Sequence, residues 1–164
     1  MNKTGIEYLD WTWNPVVGCY GPGGTKEIPR LCSYCWAKKM AARFKPGNGF
    51  APSLLPDRLS EKWPQKPSRI GVCFMSDLFG DWVPTDWIKR TIYATTLHPE
   101  HVHVFLTKNP KRLPEFNPWP ANAWVGVSVT NQEQYEEAIR HLAQVDAKVK
   151  FLSMEPLLER IAID

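Results

Sequence analysis

The spacing of apolar residues changes several times along this chain, and each change marks an element. Trp36, Ala37, Met40, Ala41 and Phe44 recur at helical intervals while Lys38, Lys39 and Arg43 fall on other faces, which predicts an amphipathic helix near 35 to 44. The run "RIGVCFMSD" is compact and apolar until Ser76 and Asp77, the pattern of a buried strand near 70 to 75. Trp87, Ile88, Ile92 and Tyr93 return to helical spacing, with Thr85 placed to cap a helix near 86 to 97 that stops around His98 and Pro99. "VHVFLTK" predicts a strand near 102 to 107 ending in Thr107 and Lys108. After a short helical start at Asn109-Pro110, "WVGVSVT" predicts another near 124 to 129. Tyr135, Ala138, Ile139, Leu142 and Ala143 form a stripe near 131 to 144, behind a capping-box spacing of Thr130 and Glu133. "VKFLSMEP" adds a strand near 149 to 154, ending before Glu155 and Pro156, and a first strand near Trp11 to Trp13 is cut short by Pro15.

Strands alternating with helices imply an α/β protein with parallel pairing and right-handed crossovers. The expected organisation is one domain over 1–164: a loop at 14–36, a proline-rich connection at 46–69 that holds only short helical pieces (Pro46, Gly47, Gly49, Pro52, Pro56, Pro64, Pro67), and βα units over 70–164. In parallel α/β barrels chemistry gathers at the carboxyl ends of the strands. Here those ends carry Ser76, Asp77, Thr107, Lys108, Ser128, Thr130 and Glu155. Any one of them also fits a strand simply leaving the core; Asp77 and Glu155 are the preferred exceptions.

Composition changes the picture only by exclusion. With 164 residues, 43% hydrophobic and 23% charged, the chain can bury a core without disulfide staples. No stretch approaches a membrane span, and Met1 to Asn14 lacks a basic region followed by an apolar run, so the expected compartment is the cytoplasm, with no membrane partner. A net charge of +3 permits an anionic partner without arguing for nucleic acid. Candidate chemistry comes from "GCYGPGGTKEIPRLCSYCWAKKM". Cys19, Cys32 and Cys35 are one ligand short of a structural zinc cage, and they suit a cluster or catalytic metal with one open position.

Six ordered segments, "WTWNPVVGC", "CSYCWAKKMAARF", "FMSDLFGDWV", "FLTKNPKRL", "VGVSVTNQ" and "FLSMEPLL", resemble a phage-associated family of uncharacterised three-cysteine proteins related to radical S-adenosylmethionine (SAM) enzymes. The resemblance spans nearly the whole chain. It implies a parallel-stranded partial TIM-type barrel, here truncated after about five strands or completed by a protein partner. It further implies a [4Fe-4S] cluster held by Cys19, Cys32 and Cys35, with Tyr34 as the aromatic residue before the third cysteine. Three thiolates leave one iron open to an external ligand, and in radical SAM enzymes that ligand is SAM. Reductive cleavage of SAM then starts radical chemistry on a substrate, whose identity the resemblance does not give. By the same likeness Ser76 and Asp77 meet the cofactor's amino group, Ser128 and Thr130 approach its sugar or the substrate, and Glu155 belongs to the same binding set. Twelve residues separate Cys19 from Cys32 where such loops usually have three, an insertion that loop-closure entropy tolerates.

Other polar and aromatic residues read as structure. Cys73 reads as a core thiol within a strand, and His98, His101 and His103 as solvated or capping residues around a turn. The tryptophans read as packing, with Trp11, Trp13 and Trp36 able to flank the cluster loop, and "KNPKR" as a solvated face. If Cys73 or a histidine joined the three cysteines, a closed zinc site would form. Three function classes follow: a radical SAM-like enzyme, a zinc-stabilised binding module with nucleic acid as one ligand, and a structural or electron-transfer iron-sulfur protein.

Overall fold

A computed structural model describes residues 1–44 and 49–163, and for Phe44 the backbone alone. Pro46 and Gly47 of the proline-rich connection lie outside the described residues. In chain order the elements are β1 (Asn2–Lys3), β2 (Trp11–Trp13), β3 (Val16–Val17), α1 (Trp36–Phe44), β4 (Ser53–Leu54), β5 (Arg69–Val72), α2 (Thr85–Thr96), β6 (Val102–Thr107), β7 (Ala123–Ser128), α3 (Gln132–Leu142) and β8 (Val149–Ser153). Two 3₁₀ segments, Pro56–Ser60 and Pro110–Phe116, complete them.

Six strands form one sheet in the order β1-β2-β5-β6-β7-β8, parallel throughout except for β1, which runs antiparallel to β2. Spatial order follows chain order, so each crossover carries the chain to the next position in the same direction. The sheet is open: β8 pairs with β7, and the described strands do not close into a barrel. β3 and β4 form a separate two-stranded ribbon beside it.

Register is held by buried residues that line up across the strands. Trp13 pairs with Val72, Val72 with Phe105, and Phe105 with Val125, and all four are buried. Burying such side chains contributes about 1.5–3 kcal/mol each, and strands covered on both faces read as near-continuous apolar runs. Ile88 of α2 and Ala138 of α3 are fully buried against this sheet, and Phe79, Phe105, Phe116 and Trp119 form an aromatic cluster beneath the Pro110–Phe116 segment. No described helix is long and apolar enough to cross a membrane.

Several local expectations are corrected. β5 stops at Val72, because Cys73 adopts φ +59 and turns the chain across the end of the sheet. Its N–H bonds the Trp13 carbonyl at 2.8 Å and its carbonyl accepts from Ser76 N at 2.8 Å. Thr85 does not cap α2; its hydroxyl accepts from Arg112 instead. The cap of α3 is Asn131, whose Oδ1 accepts from Gln134 N at 2.9 Å, while Gln134 Oε1 accepts from Thr130 N and Oγ1. The capping pair is therefore Asn131–Gln134, one residue later than Thr130–Glu133. Arg112 of "KNPKR" is buried rather than solvated and donates to the carbonyls of Gly80 and Val83. His101 and His103 are likewise buried, stacked on or edged against Trp63.

Candidate functional site: a three-thiol cavity at the carboxyl edge

Parallel strands deliver the residues that follow them to one edge, and here that edge surrounds a cavity of about 440 Å³. The segment after β5 contributes Ser76 and Asp77, β6 contributes Thr107 and Lys108, β7 contributes Ser128, and β8 contributes Ser153 and Glu155. Cys19, Cys32 and Cys35 line the same cavity with Tyr34 and Trp36. Apolar Ile6, Phe50, Phe74 and Leu106 fill the wall between the polar groups.

The long spacing between Cys19 and Cys32 is absorbed by a pinched loop. Gly18 and Gly21 both take φ +82, and a side chain at either would run into the backbone of Ala51 or Arg30. Arg30 N donates to the Tyr20 carbonyl at 2.6 Å, which closes the insertion at its neck and returns Leu31 and Cys32 beside Cys19. Three further bonds fasten the loop: Gly18 N to Met75 O at 2.9 Å, Ser76 Oγ to Gly18 O at 2.6 Å, and Cys19 N to Phe50 O at 2.8 Å. Ser76 thus anchors the cysteine loop to the edge of the sheet.

The sulfurs sit among backbone donors. Gly21 N donates to Cys19 Sγ at 3.2 Å and Lys38 N to Cys35 Sγ at 3.4 Å, the latter from the first turn of α1, where the helix dipole favours negative charge. None of the cysteines is disulfide-bonded. Burial first, then the Asp77 carboxylate, with Cys32 and Cys35 behind it, push the Cys19 thiol up to about 12 against the relief of the Gly21 N–H. A cation among the sulfurs is what would release that proton.

Asp77 is buried and committed to the edge itself. Its Oδ1 accepts from Thr107 Oγ1 at 2.6 Å and Phe79 N at 3.2 Å, and its Oδ2 from Lys108 N at 2.8 Å, tying the ends of β5 and β6 together. Burial raises its pKa, and these bonds draw it back. Lys108 faces Cys32, Asp77, Cys19 and Cys35, and its Nζ lies 5.8 Å from the centroid of the Tyr34 ring. Burial lowers the Lys108 pKa, while those neighbours favour its charged form. Tyr34 is itself pushed up to about 12 by burial and then by Cys32.

Ser76, Asp77, Ser128 and Glu155 therefore line one cavity with the three cysteines, whereas Thr130 does not: it is buried behind Tyr34, bonded to Gln134. Trp36 lines the cavity, but Trp13 is buried against Trp63 and takes no part in its wall. Cys73 lies in the hydrophobic core, its thiol pushed up to about 12 by burial. Among the described residues no group of three or more His, Cys, Asp and Glu side chains is arranged to hold a metal ion. Tyr8 is a lining residue that its sequence context does not reveal; it arrives because Asp10 N bonds Arg69 O at 2.9 Å and Arg69 N bonds Asp10 Oδ2 at 2.7 Å, folding the amino-terminal segment onto β5. Burial and the nearby Glu155 raise the Tyr8 pKa. The Lys108 and Ser153 positions did carry a signal, as polar residues closing "FLTK" and "FLS".

A family model described as a protein of unknown function (DUF5131) matches residues 3–164. No curated protein and no solved structure matches the chain.

Proposed function

The chain belongs to this DUF5131 family, and we propose that it acts as a radical SAM-like iron-sulfur enzyme. The observation that carries the reading is the cavity shared by Cys19, Cys32 and Cys35 with Asp77, Ser128 and Glu155 at the carboxyl edge of a parallel sheet. In number and character the donors fit a [4Fe-4S] cluster: three unpaired thiols, two of them already accepting backbone N–H groups, beside open volume for a ligand on the remaining iron. The reduced cluster would supply the electron that cleaves the sulfonium bond of SAM.

The chain's own residues bind, orient and exclude water. Cys19, Cys32 and Cys35 would hold the cluster from the wall of the cavity. Ser76 keeps the cysteine loop on the sheet through Gly18 O. Glu155, exposed at the rim, offers a carboxylate to the ammonium of SAM, and Ser128 offers a hydroxyl deeper in. Phe50, Phe74 and Leu106 keep water from the reacting groups. The sequentially wound sheet is read as a partial barrel, and a protein partner that covers its open edge belongs to the same proposal.

Anaerobic iron-sulfur reconstitution tests this, with iron and sulfide counted per chain and the reduced protein examined by electron paramagnetic resonance with and without SAM. The expected result is a cubane-type signal that changes on adding SAM, with 5'-deoxyadenosine formed under reductant. Stoichiometric zinc with no reconstitutable iron would move the answer to a zinc-stabilised binding module. A SAM-indifferent cluster would leave a structural or electron-transfer role.

A further inference from the structure

Lys108 is the one cation among the described residues that line the cavity, and no hydrogen bond from its Nζ is present among them. Its backbone is fixed: the N–H is held by Asp77 Oδ2 at 2.8 Å, and the next residue, Asn109, is tied to the Phe79 carbonyl at 2.8 Å and to Asp81 at 3.0 Å. The side chain extends from this anchor over the ring of Tyr34, which stands between Cys32 and Cys35 in the chain. Lys111, three residues on, is spent on Asp81 at 3.0 Å and lines no part of the three-thiol cavity. Asp77, the carboxylate that Lys108 also faces, is committed to Thr107, Phe79 and the Lys108 backbone, so a half-buried ammonium with no acceptor of its own, facing three sulfurs from a rigid strand end, is placed for a charge that arrives with the site's occupant.

We propose that Lys108 is the counter-cation of the three-thiol site: its ammonium offsets the negative charge that Cys19, Cys32 and Cys35 acquire on ligation and sets how readily the site accepts an electron. This rests on the iron-sulfur reading and adds a residue to it. Reduction adds one negative charge, and a fixed positive charge facing the sulfurs stabilises that state most. Lys108 is thus a positioning and tuning residue, acting through the cysteines.

Two measurements on the full chain test it, one of which needs no cluster. In the metal-free, reduced protein, the cysteines are modified with a dianionic aromatic disulfide and with a neutral dipyridyl disulfide. Lys108→Met should slow the anionic reagent severalfold relative to the neutral one, and Lys108→Arg should restore the ratio. In the reconstituted protein, a potentiometric titration with dithionite should show Lys108→Met holding about tenfold less reduced cluster at a given potential, a shift of about 59 mV to lower values. An unchanged rate ratio would overturn the placement of the charge, with or without iron in the protein. A cluster that forms at an unmoved potential would overturn the tuning role while leaving the iron-sulfur reading intact. A weakened response to SAM at an unmoved potential would do the same, moving the ammonium to a ligand's carboxylate. Failure of wild-type protein to take up iron while the rate ratio still responds would sink the iron-sulfur reading and the tuning role together.

Discussion

The two ends of the parallel sheet are built on opposite terms. At the carboxyl edge, polar and reactive side chains face open volume: three thiols, Lys108, Ser128 and Glu155 around about 440 Å³. At the amino edge, equally polar groups are packed shut. Trp63 stacks on His98 with ring centroids 4.3 Å apart, lies 5.8 Å from His101, and meets His103 edge-on at 5.2 Å. Asn122 Nδ2 locks the plug from 3.2 Å of His98 O, 2.9 Å of His101 O and 3.0 Å of His103 Nδ1, its two hydrogens shared among the three acceptors. Histidine and cysteine are both common metal ligands, yet only the cysteines were left with room beside them. Open volume at the strand ends separates candidate chemistry from a polar plug that contributes stability.

The largest effect that could break this contrast is on metal uptake. Cys19→Ala, Cys32→Ala and Cys35→Ala should each abolish cluster assembly, since two thiolates do not hold a cubane securely, whereas Cys73→Ala should still load. Iron and sulfide per chain read the outcome, with thermal melts showing whether the fold survives. Cluster loading in the Cys35→Ala protein, or its loss in Cys73→Ala, would remove the carboxyl edge's claim to the chemistry.

Next comes the plug. Trp63→Ala should cost about 3 kcal/mol in urea unfolding, because it removes the ring that packs on Trp13 and three histidines and leaves a cavity. Iron uptake at the other end should stay intact at low temperature. Asp77→Asn should follow at about 2 kcal/mol. An amide there presents a donor to Thr107 Oγ1 or Lys108 N, where the carboxylate accepts from both. Chemical denaturation separates that loss from any effect on SAM, which should appear only after the stability change is accounted for.

The contrast also explains what could be read from residues alone. The long strands and helices were legible because their apolar spacing is dictated by burial, and the cysteines because rare side chains close in sequence announce themselves. β1, β3 and β4 are two residues each, too short to carry any periodicity. His101 and His103 are buried where the sequence reads solvated or capping residues, because their cover, Trp63, comes from a loop more than thirty residues upstream. Arg112 was misread for a similar reason: its acceptors are backbone carbonyls of Gly80 and Val83, which no side-chain pattern advertises. Tyr8 reaches the cavity from an amino-terminal segment that Asp10 ties to Arg69, a pairing that local spacing does not announce. At Thr130 the cap is displaced by one residue to Asn131, and the Thr130 hydroxyl donates to Gln134 and lies outside the cavity wall.

The smallest expected effect is the dependence of the plug on acidity, and its sign follows from the Asn122 bond. An amide nitrogen donates, so His103 Nδ1 accepts and the ring is neutral with its proton on Nε2, which has no partner among the described residues. Burial first, then His101 and His98, bring the His103 pKa down to about 3 against the opposing pull of Glu100; burial lowers that of His101 as well. Above the ordinary histidine range both folded and unfolded chains are neutral there and stability is full. As pH falls below about 6.5 the unfolded chain takes up protons that the folded ring refuses, so stability declines toward pH 3. Between pH 7 and 5.5 the loss from His103 alone should be about 1 kcal/mol. Asp77, its pKa raised by burial, works in the opposite sense: its contribution is full below the ordinary carboxylate value and is lost as pH rises through its folded value. Comparing urea unfolding of the wild type with His103→Leu at several pH values cancels the Asp77 contribution. The variant should lose the His103 share of the acid decline and keep the share that His101 contributes, and identical pH dependence in the two proteins would break the account of the amino edge as a neutral, closed plug.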